Sequence, residues 1–186
     1  MTATAGEPHD QKRADQLSLR EILVEDFETY GRRLVEPGFW AVVVHRIGAR
    51  LDGIEPAVLR RPLEATHKLL ATGVDWIWGI NLPKTTRLGR RVRIWHNGSI
   101  LLNARAIGND VQLRHDTTLG PVRMKVRDRP EFLPVIEDGA DIGSGACILG
   151  DVTLGKGALV GANSVVLRSV PPGATVFGVP AKVMPT

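Results

Sequence analysis

The sequence predicts a mainly β protein, a parallel β-helix of hexapeptide repeats preceded by a small α-helical cap. Three observations predict it. Large aliphatic residues return every six positions through the second half of the chain, and a small or β-branched residue stands four positions after most of them. Ahead of this stretch, apolar residues instead follow the three- and four-residue spacing of amphipathic helices. A sustained period of six cannot be laid on one helical face, whereas short strands joined by tight corners produce it directly.

Residues 1–16, MTATAGEPHDQKRADQ, are polar and charged, and are expected to form a disordered tail. Residues 17–78 are expected to form the cap, as three short helices carried by LSLREILVEDFETYG, GFWAVVVHRIGARL and AVLRRPLEATHKLLATGVDWIWG. Gly31, Pro37, Gly38, Gly53 and Pro56 punctuate them, and Ser18 three residues before Glu21 has the spacing of a capping box. His45 and His67 have apolar neighbours here and are read as structural. Such a cap is too small to stand alone and must lean on the rest of the chain.

Residues 79–186 are expected to form the β-helix. The aliphatic series runs Leu82, Leu88, Ile94, Ile100, then Ile107, Leu113, Leu119, then Ile136, Ile142, Ile148, Leu154, Val160 and Val166. Each points into a narrow prism, the small residue fits beside the corner, and Gly, Asn or Asp takes the corner backbone angles. Three hexapeptides make one coil, so residues about eighteen apart become spatial neighbours on stacked parallel strands. Two breaks interrupt the series: one extra residue between Ile100 and Ile107, and a longer excess between Leu119 and Ile136. The second must bulge out as a loop over residues 121–135, and an extruded loop on a rigid rod is where function concentrates. The cluster Arg87, Arg90, Arg91 and Arg93 is read as a solvated outer face.

The 186-residue chain has a single cysteine, Cys147, which excludes an internal disulfide and fits a reducing cytoplasm. No apolar run is long enough for a membrane span, so no membrane partner is expected. Net charge is +4, which favours an anionic partner, but only 5% of residues are aromatic and no base-reading motif is present. A phosphorylated small molecule fits this balance better than a nucleic acid.

From about Gly79 onward the sequence resembles the serine O-acetyltransferase family of hexapeptide-repeat acyltransferases. The resemblance is carried by RIWHNGSIL, by TTLG just before the inserted loop, and by DIGSGACILGDVTLGKGALVGANSVVLRSVPPGATVFGVPAKV. The cap resembles that family's N-terminal region in shortened form, as in compact members linked to polysaccharide or specialised metabolism. The resemblance implies a left-handed β-helix and a homotrimer whose cofactor groove is walled by neighbouring chains. It also implies acetyl transfer from acetyl-CoA to a hydroxyl of serine or a serine-like small acceptor; because no Cys/His cluster has zinc spacing, no metal is expected. A sugar hydroxyl is the alternative acceptor, and a catalytically degenerate binding subunit is the alternative role.

Acyl transfer to a hydroxyl needs a base for the hydroxyl proton, donors for the developing oxyanion and a groove for the CoA arm. A neutral imidazole suits the first task. By match to the family motif, His96 is that base. His115 lies nineteen residues later, one coil plus the extra residue, so the two imidazoles stack on one edge if that residue is absorbed at a corner. It remains a candidate for base, orienter or substrate ligand, with Asp116 beside it. The family's orienting carboxylate stands fifteen positions before the histidine, where this chain has Asn81, an acceptor without the charge. Trp95 replaces an acidic residue of the family's acceptor site, and a second histidine expected near the end of the loop is absent from EFLPVI. Arg129 offers a guanidinium fork to an acceptor carboxylate. By the resemblance, Gly120, Gly145, Ala146, Gly161 and Ala162 lie against the pantetheine arm, and Arg168 and Lys182 lie near the nucleotide phosphates.

Overall fold

The computed structural model describes residues 14–126 and 129–184. Most of the expected tail, residues 1–13, lies outside this range, and Ala14–Gln16 form one 3-10 turn. Helix α1 (Leu19–Thr29) starts at Ser18, whose Oγ accepts from the Glu21 backbone N–H while the Glu21 carboxylate accepts from the Ser18 N–H. Helix α2 (Pro37–Leu51) places Pro37 in its first turn, where a missing N–H leaves no partner unsatisfied. Helix α3 (Ala57–Trp78) is not short: it runs 22 residues through Pro62 and ends at Gly79, whose φ of 67° closes it. No helix among the described residues is long and apolar enough to cross a membrane.

The strands then wind in coils of three. The first coil is β1 (Ile80–Asn81), β2 (Arg87–Leu88) and β3 (Arg93–Ile94). The second is β4 (Ile100–Leu102), β5 (Ala106–Ile107) and β6 (Gln112–Leu113), and the third is β7 (Thr118–Gly120), β8 (Val135–Ile136) and β9 (Asp141–Ile142). A fourth coil comprises β10 (Cys147–Leu149), β11 (Thr153–Leu154) and β12 (Leu159–Val160), and the chain closes with β13 (Val165–Val166), β14 (Thr175–Gly178) and β15 (Ala181–Val183). Strands stack in three sheets, ordered β1-β4-β7-β10-β13, β11-β8-β5-β2 and β15-β14-β12-β9-β6-β3, so the molecule is a three-faced parallel β-helix. Among the described residues only β14 and β15 pair antiparallel, which finishes the last coil with a hairpin. Inside the prism, Ile94, Leu113, Leu119, Ile136, Ile142 and Ile148 are fully buried, each worth roughly 1.5–3 kcal/mol of apolar transfer. Ala104, Ala140, Ala146, Ala158, Thr117 and Ser164 fill the narrow places beside them.

The register corrects one detail of the sequence reading. Leu102, not Ile100, lies opposite Leu119, while Ile100 lies opposite Ile80. Leu102 stands eight positions after Ile94, and Ile107 only five after Leu102, so two residues are added at the corner before β4 and one is removed after it. The enlarged corner is the one that carries His96. At the second break Thr118 pairs with Cys147 across the inserted residues, which contain two 3-10 turns, Met124–Val126 and Pro130–Phe132.

The cap is bolted to the first coil by charge. Asp26 and Arg46, both buried, form a two-point ion pair at 2.9 and 3.3 Å, and Arg46 also donates to the Leu88 and Gly89 carbonyls. Arg90, 5% exposed, grips the Glu25 carboxylate, and Arg91 bridges Glu25 and Asp110. Arg93 donates to the Thr29 carbonyl. Three of the four clustered arginines therefore hold the cap in place, which corrects the reading of a solvated face; the fourth, Arg87, is exposed. Burial opposes ionisation of Glu25, but the hydrogen bonds and charges of Arg90 and Arg91 outweigh it and hold its carboxyl below the usual range. His45 is 2% exposed, and burial, aided by the neighbouring Arg46 charge, pushes its pKa down to about 3, so it is neutral in the folded cap.

Candidate active site

At the corner between the third and first sheets, backbone of left-handed conformation recurs coil after coil. Asp116 (φ 60°), Gly145 (φ 71°) and Asn163 (φ 55°) occupy it in successive coils. Gly98, at φ 142°, sits in the corresponding place above them, and a Cβ there would come 3.2 Å from the Asp116 carboxylate. The two residues added to this corner push His96 outward at φ 66°, exposed to solvent. Holding a Cβ-bearing residue in that region costs on the order of 1 kcal/mol or more, and such strain concentrates at functional positions.

His115 lies beneath it. The two imidazole centroids are 5.7 Å apart, with planes inclined at 73°, an edge-to-face pair. The corner therefore absorbs the extra length and stacks the histidines as the nineteen-residue spacing requires. His115 Nδ1 is shielded from solvent and has no hydrogen-bond partner among the described residues; Thr117 Oγ1, on a side chain buried in the prism, has none either. Asp116 accepts the Ser99 N–H at 3.3 Å and so braces the corner.

Asn81 does not hydrogen-bond to His96. Its Nδ2 donates to Asp75 Oδ2 at 2.8 Å, from the last turn of α3. Asp75 was not singled out from sequence, although a signal existed: an acid at a helix C-terminus sits against the negative end of the helix dipole and needs a donor to justify it. Trp95 is committed to the outer face of the third sheet, where its Nε1 donates to Gln112 and the Arg93 guanidinium stacks 3.7 Å from its ring. Arg129 is paired with Glu131 at 2.7 Å and lies over Phe132, so its fork is already occupied.

The expected cofactor positions divide. A Cβ on Gly145 would strike the Asn163 side chain, and one on Gly161 would come 3.0 Å from Phe177 Cβ, so coil packing alone accounts for both glycines. Ala146 points into the prism at 0% exposure, so no part of it faces a ligand in the single chain. Gly120 is different: a Cβ there would meet nothing within 4 Å, so open space lies above it. Ala162, Arg168 and Lys182 are exposed on the later coils. Among the described residues, no group of three His, Cys, Asp or Glu is clustered to hold a metal ion.

A cavity of about 510 Å³ opens where β1, β2 and β4 meet the inserted loop, lined among others by Asn81, Arg87, Asn103, Arg105, Pro130 and Leu133. Sequence reasoning missed both of these arginines as site residues. Their shared position is set by register, since the Arg87 N–H donates to the Arg105 carbonyl across one rung of the ladder.

No family model matches the chain. Individual proteins do. The serine acetyltransferase of Escherichia coli strain K12 is 34% identical over 148 residues, covering 79% of this chain and 50% of that protein. The soybean serine acetyltransferase apoenzyme superposes with a TM-score of 0.74 at 30% identity, over 90% of this chain and 69% of its own. A serine acetyltransferase from Brucella abortus strain S19, in complex with coenzyme A, gives a TM-score of 0.75 at 27% identity, over 89% and 67%. The chain spans about half the length of the curated relatives it matches.

Proposed function

The chain belongs to the serine acetyltransferase family, and from that membership we propose that it transfers an acetyl group from acetyl-CoA to the hydroxyl of serine or a serine-like small acceptor. The observation that carries this reading is the strained, exposed His96 over His115 on an enlarged corner, because a base must stand out from the rod to reach a bound hydroxyl. His96 takes the hydroxyl proton as the oxygen attacks the thioester carbonyl. The tetrahedral adduct collapses, the carbon–sulfur bond breaks, and the imidazolium returns the proton to the departing CoA thiolate. Asn81, its amide spent on Asp75, keeps a carbonyl oxygen to orient an imidazole N–H. The open space at Gly120 and the exposed cations Arg168 and Lys182 suit the extended, polyanionic acetyl-CoA.

The same proposal includes a left-handed winding and a homotrimer, with acetyl-CoA held between neighbouring chains. Partly exposed apolar residues along α3 and Leu101 on the first sheet support the assembly, since such stripes mark contact surfaces. The test of function is thiol release from acetyl-CoA with L-serine. His96→Ala is expected to lower the rate about 10²–10⁴-fold while leaving acetyl-CoA affinity nearly unchanged. Release that persists in His96→Ala and vanishes in His115→Ala would move the base one coil down, and no release with any hydroxyl acceptor would end the reading.

A further inference from the structure

Resting on the acetyl-transfer reading above, we propose that the cavity under the inserted loop is the acceptor's anion subsite. Arg87 and Arg105 bind there the carboxylate of an amino-acid or hydroxy-acid acceptor. The cavity, about 510 Å³, has the volume of a small-molecule site. Among the described residues, two that bear a guanidinium line it and no carboxylate does, although the chain holds 20 acidic residues. Several other arginines of the cap and coils pair with acids, as Arg46 does with Asp26, Arg90 with Glu25 and Arg114 with Asp141. Among the described residues the Arg87 side chain has no hydrogen-bond or ion-pair partner, and Arg105 has one contact, 3.3 Å from the exposed Asp151. One cation without a partner and a second held only by an exposed acid, in a concave wall with apolar neighbours such as Pro130 and Leu133, raise the local affinity for an anion. The guanidinium fork matches a carboxylate in two-point geometry, which a lone ammonium does not.

Two further observations tie the cavity to the reaction. Asn81 lines it, so the wall that receives the anion is shared with the residue assigned to orient the base. Among the described arginines of the inserted loop, Arg129 is paired with Glu131 and neither it nor Arg123 lines the cavity, so the guanidinium groups found there come from the coils.

The experiment measures binding of L-serine and of L-serinamide to the full chain by calorimetry, and thiol release with each, in the wild type, Arg87→Gln and Arg105→Gln. The wild type should bind L-serine more tightly than the amide. Each substitution should weaken L-serine about tenfold, the effect of one charge-assisted hydrogen bond, and leave the amide unchanged. Equal binding of acid and amide by the wild type, or an unaltered preference in both variants, overturns the subsite. If the variants lose carboxylate binding while the wild type releases no thiol with any acceptor, the subsite stands and the catalytic reading falls. Normal release with an acceptor preference indifferent to both arginines overturns the subsite and leaves the catalytic reading in place.

Discussion

The Asn81 carboxamide donates to Asp75 Oδ2 at 2.8 Å, and this contact decides what a substitution there would do. Replacing it with the acidic residue that the family resemblance leads one to expect puts two carboxylates in van der Waals contact, and such a pair retains a proton into the neutral range. Asn81→Asp alone is therefore expected not to raise the rate of thiol release, and to add a limb to its pH profile. Asn81→Asp combined with Asp75→Asn restores a donor–acceptor pair with the charge moved next to the reaction, and should exceed both single variants in kcat/KM. Steady-state profiles from pH 6 to 9 check this, and a single variant that matches the double would count against the role given to Asp75. The histidine pair was legible in the sequence because stacking follows directly from coil length. Asp75, Arg87 and Arg105 were not, because their neighbours are set by how a helix end and a loop settle on the coil, which no period records.

Helices α1 and α2 meet the first coil through Asp26 and Arg46, which sit at 0% and 4% exposure. Removing one member of such a pair leaves a buried charge without its counterpart, at a cost of about 3–5 kcal/mol. Asp26→Ala should thus lower the thermal midpoint by well over 5 °C for a chain of this size, at about 2–4 °C per kcal/mol. Asp110→Asn, which removes a charge from the exposed side of Arg91 at a left-handed position that Asn tolerates, should shift it by a degree or two. Calorimetric scans of the two variants separate a cap held by buried charge from one held by apolar packing alone, for which the shifts would be alike. The elements themselves were readable: the capping box of α1, the coil period and the inserted loop are local patterns. What failed was the fate of the arginine cluster and the placement of the extra residue. Both depend on register between segments far apart in sequence. Ile100 and Leu102 are both apolar, and only pairing with β1 and β7 tells which one continues the column.

Along α3, Leu59, Leu63, Thr66, Leu70, Gly73 and Ile77 alternate at spacings of four and three, the seam of a coiled coil. Leu59, Leu70 and Ile77 are 59%, 50% and 71% exposed in the single chain, too much apolar surface on one stripe for a helix with no further contact. The seam ends at Gly79 and leads into β1, and the neighbouring β4 carries the outward-facing Leu101. A second and third copy packed along this line would bury the helix and the sheet face together, as closed symmetry requires of a heterologous contact. Light scattering should therefore give three times the 20.2 kDa protomer mass for the wild type. Leu70→Glu with Ile77→Glu places two charges in the seam of every protomer and should dissociate the trimer while the far-ultraviolet circular dichroism is kept, since neither side chain is buried in the protomer. Thiol release should fall with the mass, because acetyl-CoA then has one wall instead of two. A double variant that remains trimeric, or a monomer that turns over at the wild-type rate, would show that the α3 seam is not what holds the copies together or that one chain suffices for the reaction.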